Sequence, residues 1–120
     1  MKVLFIYPNT YGMNMLPPAI AMFSAILKNE GHQVQIFDTT YYSIDYGIDS
    51  DGSKVERLNV APFKMKERGI RLKTSDWKAD LKKQVNDFKP DLFAVSSTED
   101  MWELAMQIMW ELKDYKIKNN

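Results

Sequence analysis

Three short segments rich in β-branched and aromatic residues recur along the 120-residue chain, and each ends at residues that favour turns. They cover residues 3–7, 33–37 and 91–95. Apolar segments of this length are typical of strands that are buried in a parallel sheet. We therefore predict three strands.

Apolar residues at helical spacing fill the intervals between and after these strands, over residues 19–29, 77–88 and 101–115. Pro17 and Pro18 suit the start of the first helix, and Gly31 suits its C-terminal cap. Alternation of strands and helices predicts an α/β fold with a parallel sheet and right-handed crossovers.

A long insertion, residues 43–75, interrupts this alternation, and its first part is rich in Asp, Gly and Ser. A connection of this length inside a compact domain is usually functional or mobile. Doubly wound folds have about five or six strands, and the third predicted helix is apolar on all sides. We therefore expect a Rossmann-like (flavodoxin-like) doubly wound parallel sheet that is truncated after its third strand and the following helix.

Composition excludes several classes of function. Sixteen Lys and Arg balance sixteen Asp and Glu, so the chain lacks the basic excess of a nucleic-acid-binding module. The chain contains no cysteine, which excludes disulfides, iron–sulfur ligation and thiol nucleophiles within it. The sequence shows neither a signal peptide nor an apolar run long enough to span a membrane, so we expect a cytoplasmic protein.

Ligands of open α/β sheets bind beyond the carboxyl ends of the strands, at the point where strand order reverses. If the second and third strands flank the first on opposite sides, that point lies between the loop after residue 7 and residues 96–98.

Gly12 is the single glycine of the first loop, so a dinucleotide-binding fingerprint is absent. We interpret Asp38 as a turn residue and place His32, the single histidine, at the opposite end of the sheet. No complete catalytic site is visible.

The order of short motifs resembles a known family. The first strand ends in Tyr7-Pro8-Asn9, and a helix begins at Pro17-Pro18. Residues 25–32 lead from this helix into a strand that ends at Asp38. Residues 88–98 contain the third strand and the Ser96-Ser97-Thr98 motif that follows it. This arrangement resembles the N-terminal cobalamin-binding domain of cobalamin-dependent radical S-adenosylmethionine enzymes. That group includes methyltransferases and the anaerobic magnesium-protoporphyrin ester oxidative cyclase. The resemblance covers nearly all of residues 1–120 and is weakest over the insertion.

The resemblance implies that the corrinoid lies at the carboxyl ends of the first and third strands. The cofactor-binding residues it implies are Tyr7, Pro8, Asn9, Thr10, Tyr11, Ser96, Ser97 and Thr98. We expect Asn9 or Tyr11 to lie nearest the lower face of the corrin, and the hydroxyls of Ser96 and Thr98 to meet the nucleotide tail. Because the first loop contains no histidine, cobalt is expected to keep a water or no lower ligand.

The same resemblance assigns S-adenosylmethionine and the iron–sulfur cluster to a missing C-terminal radical domain. The cluster needs a C-x-x-x-C-x-x-C motif, and this chain has no cysteine. The glycine pair that the family carries after its fourth strand would lie beyond Asn120. We therefore expect a module that binds the corrinoid weakly or is isolated without it, and that does not catalyse alone.

Two alternatives stay open. One is the N-terminal half of a two-domain glycosyltransferase, although such halves usually carry more glycines in the first loop. The other is an α/β interaction domain without a ligand. Independently of these alternatives, the apolar content of residues 101–112 predicts that the isolated chain self-associates through the last helix or is marginally stable.

Overall fold

Three parallel strands form one open sheet in the computed structural model, which describes residues 1–10, 17–44 and 65–115. The strands are β1 (Lys2–Tyr7), β2 (Gln33–Asp38) and β3 (Leu92–Val95). β1 lies in the middle, in the order β2-β1-β3. The structure thus confirms the three predicted strands and their parallel α/β arrangement, and the reversal of strand order lies between β1 and β3.

The register explains why β1 is apolar at every position after its first. Ile6 aligns with Phe37 of β2 and with Val95 of β3. Successive side chains of a strand point to opposite faces of the sheet. Both faces of the central strand are covered, so Val3 and Leu4 are both buried although they point in opposite directions.

Helices cover the two faces of the sheet. They are α1 (Pro18–Asn29), α2 (Trp77–Phe88) and α3 (Trp102–Leu112), with short 3-10 helices at Met65–Arg68 and Glu99–Met101. Ile20 of α1 packs on the face that carries Phe5, whereas α2 and α3 pack on the face that carries Leu4 and Ile6. Among the described residues, no helix is both long and apolar enough to cross a membrane.

The ends of α1 and α2 follow from local sequence. Pro18 occupies the first turn of α1, and Gly31, with a φ of 80°, follows its end. The Asp76 carboxylate accepts a hydrogen bond from the Lys78 backbone N–H at 3.1 Å and caps α2. α2 ends at Lys89, which adopts a left-handed conformation.

The third helix is shorter than predicted. The sequence pattern predicts a helix to residue 115, but α3 ends at Leu112. The chain then tightens, because the Tyr115 N–H donates to the Leu112 carbonyl, three residues earlier. The Tyr115 ring packs edge-on against Phe93 at 5.2 Å between centroids. The residue at which the sequence pattern would end the helix therefore lies against β3, outside α3.

The two ends of the long connection lie side by side. Tyr42 and Lys73 form an isolated parallel bridge, and the Lys73 N–H donates to the Tyr41 carbonyl at 2.7 Å. Residues 45–64, including the predicted turn-rich run, lie outside the described residues. The connection therefore leaves and rejoins the domain at one place, beyond the end of β2.

Candidate functional site at the carboxyl edge of the sheet

The carboxyl ends of the three strands bring most of the predicted site residues to one edge. Because the strands are parallel, residues 8–10 after β1, 39–40 after β2 and 96–98 after β3 meet there. Tyr11 lies outside the described residues. The edge has two halves, one between β1 and β2 and one between β1 and β3, and they differ in the availability of their polar groups.

The half between β1 and β2 is closed by hydrogen bonds. The Asn9 backbone N–H donates to the Thr39 hydroxyl at 2.8 Å, and that hydroxyl donates to the Asn9 carbonyl at 2.7 Å. The Asn9 side-chain amide donates to the Thr40 hydroxyl at 2.9 Å. Thr39 is fully buried. These groups satisfy one another, as buried polar groups must if the fold is to be stable.

Asp38 completes this network. Its Oδ1 accepts hydrogen bonds from the Thr40 backbone N–H at 2.8 Å and from the Thr40 hydroxyl. An aspartate that bonds the backbone two residues ahead forms an Asx turn. The structure thus agrees with the interpretation of Asp38 as a turn residue. Burial, and secondarily the nearby Asp38 charge, raises the pKa of Tyr7.

The predicted residues after β1 are covered. Tyr7, Pro8, Asn9 and Thr10 are all buried, and Tyr7 packs on the α1 face of the sheet. In the described part of the chain, every fully buried side-chain nitrogen or oxygen has a hydrogen-bond partner. The Asn9 amide is therefore already engaged, with one of its bonds going to Thr40.

The half between β1 and β3 presents accessible hydroxyls. The Ser96 N–H donates to the Ile6 carbonyl at 3.0 Å and extends the β1–β3 pairing by one residue. Ser96 is half-buried, whereas Ser97 and Thr98 are exposed. The Ser97 hydroxyl donates to the Thr98 carbonyl at 2.9 Å, and the Thr98 side chain makes no capping bond to the 3-10 helix that follows.

His32 lies at the other end of the sheet, as predicted. It immediately precedes β2, and its Nδ1 is 3.5 Å from the amino nitrogen of Met1. Its ring is therefore on the amino side of the strands, away from Ser97 and Thr98. The described residues hold no group of three or more His, Cys, Asp or Glu that could bind a metal ion.

Comparisons with protein-family models, with curated proteins and with solved structures found no match to this chain. At this edge the Thr39 and Thr40 hydroxyls are engaged in the network with Asn9 and Asp38. Ser97 and Thr98 are exposed to solvent, although the Ser97 hydroxyl also donates to the Thr98 carbonyl.

The role of Thr39 and Thr40 was not predicted from the sequence. The available signal is the short spacing from Asp38 to Thr40 at a strand end, which is typical of an Asx turn. Nothing in the sequence, however, pairs residues 39–40 with Asn9, because that contact depends on the register between β1 and β2.

A concavity lies on the outer side of β2, away from the β1–β3 half of the edge. It has a volume of about 510 Å³ and is lined in part by Gln35, Asp38, Tyr42, Lys73, Asp80 and Gln84. Its polar groups are largely engaged with one another. For example, the Gln84 amide donates to the Gln35 side chain at 2.9 Å and to the Ile36 carbonyl at 3.2 Å. This arrangement closes the free edge of β2 and offers few groups to a ligand.

Proposed function

We propose that this chain is the corrinoid-binding module of a larger cobalamin-dependent radical S-adenosylmethionine enzyme, either a methyltransferase or an oxidative cyclase. The observation that carries the proposal is the set of accessible hydroxyls at the β1–β3 half of the edge, where strand order reverses. This is the place where open α/β sheets bind ligands.

The strand order supports the finer fold assignment within this proposal. The order β2-β1-β3, with helices on both faces, is compatible with the first three strands of a flavodoxin-like sheet. In such a sheet the cofactor lies next to the central strand and the loop after the third strand. Ser96, Ser97 and Thr98 occupy that loop.

The chemistry of these residues suits an uncharged, amide-rich ligand. Hydroxyl groups both donate and accept hydrogen bonds, so Ser97 and Thr98 can bond the amide side chains of a corrin and its nucleotide tail. The chain has no net charge, which agrees with a ligand that is not a polyanion. The residues at this edge fit the periphery of a corrinoid, and the described residues include no cluster that would ligate cobalt.

When bound, a corrinoid supplies a cobalt centre that carries a transferable methyl group or takes part in electron transfer. This chain's own residues would bind and orient the macrocycle. The iron–sulfur cluster and S-adenosylmethionine would belong to a C-terminal radical domain, because this chain has no cysteine to hold a cluster. That radical domain is the partner we propose.

One observation favours a second candidate, an interaction domain without a ligand. α1 and α3 each expose several large apolar side chains, including Met22, Phe23 and Trp102. Exposed apolar patches often mark protein interfaces. This alternative predicts partner binding without any corrinoid binding, so a cofactor titration separates the two.

The test is a titration of the chain with hydroxocobalamin, followed by visible absorption and equilibrium dialysis. We expect retention of the corrinoid, and roughly tenfold weaker retention by a Ser97→Ala/Thr98→Val variant, since each lost hydrogen bond is worth about 0.5–1.5 kcal/mol. Gln33→Ala, at the amino end of β2, is the control and should bind like the parent chain. Absence of retention, or equal loss in all variants, would contradict the proposal.

A further inference from the structure

One side of α3 carries a stripe of apolar side chains that face solvent. Trp102 and Trp110 are 61% and 67% exposed, and Met106 and Met109 are also exposed. Their spacing of four, seven and eight residues from Trp102 places them on one side of the helix. We call these four residues the α3 stripe.

The contacts of α3 show that the rest of the described chain leaves this stripe uncovered. Leu104 and Ile108 point into the core. Glu111 faces α2, where its carboxylate pairs with Lys78 at 2.9 Å and with Lys82 at 2.8 Å. The stripe lies on the remaining side of the helix, so a second molecule can reach it.

Three of the four stripe residues are symmetric about Met106, since Trp102 and Trp110 each lie four residues from it, one on either side. An interval of four residues keeps these positions on one side of the helix. Glu99 and Lys113 lie just outside the two ends of α3, each seven residues from Met106. If two copies of α3 packed antiparallel with the two-fold axis at Met106, each Trp102 would meet the other copy's Trp110. Each Glu99 would meet the other copy's Lys113.

Charge favours the same arrangement. The 3-10 helix before α3 is acidic through Glu99 and Asp100, and Glu103 lies in the first turn of α3, whereas Lys113 lies just beyond its end. The Lys113 ammonium lies 4.0 Å from the centre of the Trp110 ring, beside the stripe. Antiparallel packing brings opposite charges together at both ends of the contact, as a two-fold interface requires.

We infer that α3 is a homodimer interface, in which a second copy of this chain packs antiparallel through the α3 stripe. The four side chains would bury on the order of 500 Å² on each copy, which is less than the roughly 800 Å² per partner of a standard interface. The dimer should therefore be weak, with a dissociation constant in the micromolar range. This inference is independent of the proposed corrinoid site.

α1 provides a contrast. It exposes Met22, Phe23 and Ile26, so it is as apolar on its outer side as α3. Its first turn, however, carries no acidic residue to oppose Lys28 in its last turn. An antiparallel pair of α1 helices would lack the charge pairing that α3 has. We therefore place the dimer contact on α3 and not on α1.

Sedimentation equilibrium of the full chain over a range of concentrations tests the assignment. We expect a monomer–dimer equilibrium that Met106→Glu weakens at least tenfold, because it places two carboxylates at the axis. Met22→Glu, an equivalent change on α1, should leave dimerisation unchanged, and circular dichroism should show that both variants are folded. A monomer at every concentration, or equal dissociation by both variants, would overturn the inference.

Two further variants test the register. Because the chain has no cysteine, Met106→Cys should form a disulfide-linked dimer on oxidation, since residues at the axis can come within disulfide distance, whereas Met22→Cys should stay monomeric. Glu99→Lys should weaken the dimer, and adding Lys113→Glu should restore it. Equal cross-linking of the two cysteine variants, or no restoration in the double variant, would contradict the antiparallel arrangement.

Discussion

The Tyr42 hydroxyl donates a hydrogen bond to the Asp80 carboxylate at 2.8 Å and thereby joins the start of the long connection to α2. The end of the connection meets the same pair. The Lys73 ammonium lies 3.3 Å from the Tyr42 hydroxyl, and Ser75 donates to the same oxygen of Asp80 at 2.6 Å. One tyrosine and one aspartate thus hold both ends of this insertion on the domain.

The first prediction concerns the Tyr42 hydroxyl. Tyr42→Phe keeps the buried ring and removes the bond to Asp80, so we expect a loss of about 1 kcal/mol in the free energy of unfolding. Urea denaturation measures this loss. Tyr41→Phe changes the neighbouring tyrosine, which is exposed, and should leave stability unchanged. Equal stability of Tyr42→Phe and the parent chain would show that the bond does not hold the connection.

The second prediction concerns acid. Hydrogen bonds from Ser75 and then Tyr42 hold the pKa of Asp80 below its ordinary value of 3.8. A carboxyl whose pKa is lowered by folding stabilises the native state above its ordinary pKa, and the stabilisation disappears as pH falls through the lowered value. Ser75→Ala should therefore lower the melting temperature at neutral pH.

The difference in melting temperature between Ser75→Ala and the parent chain should shrink as the pH falls through the lowered pKa of Asp80, since the carboxyl is then protonated in both. Thermal melts from neutral to acid pH provide the measurement. A difference that persists unchanged at acid pH would mean that the charge of Asp80 is not involved.

The fold could be predicted from sequence because local signals were strong. The apolar β1, the amphipathic α2 and Gly31 at the end of α1 all lie where spacing and cap chemistry indicated. The contact of Tyr115 with Phe93, just beyond the end of α3, could not be predicted, because the two residues lie far apart in the chain.

The candidate edge was predictable in part. Parallel topology alone brings Asn9 and Ser97 to one edge of the sheet. The burial of Asn9 and its bonds to Thr39 and Thr40 depend on the β1–β2 register and were not visible in the sequence. For the same reason, the sequence could not show that the β1–β2 half of the edge is closed by hydrogen bonds whereas the β1–β3 half is accessible.

The third prediction concerns backbone strain. Lys89 has a φ of 53° and Gly31 a φ of 80°. A side chain in this left-handed region costs about 1–2 kcal/mol. Lys89→Gly should gain about 0.5 kcal/mol, because glycine's extra freedom in the unfolded chain offsets part of the relief.

Gly31→Ala provides the opposite change and should cost about 1 kcal/mol. Apart from Gly31 and its two chain neighbours, no heavy atom of the described residues lies within 4 Å of the added Cβ, so the cost arises from the backbone conformation. Chemical denaturation of both variants checks the pair. A loss of stability in Lys89→Gly would show that the lysine side chain contributes more than its backbone conformation costs.

The fourth prediction concerns His32. It lies at the amino end of the sheet, so His32→Ala should leave corrinoid affinity unchanged. Titration with hydroxocobalamin at neutral pH measures this affinity. A tenfold loss, equivalent to about 1.4 kcal/mol, in a variant with an unchanged circular dichroism spectrum would contradict the location of the site.

The most direct test of the central claim is a map of amide chemical shifts in the 120-residue chain as hydroxocobalamin is added. NMR reports weak binding residue by residue, so it locates the ligand even at low affinity. We predict that the amides of Ser96, Ser97 and Thr98 shift most and that His32 and Gln33 do not shift. Shifts centred on the outer side of β2, shifts spread over the whole surface, or no shifts at millimolar ligand would contradict a corrinoid site between β1 and β3.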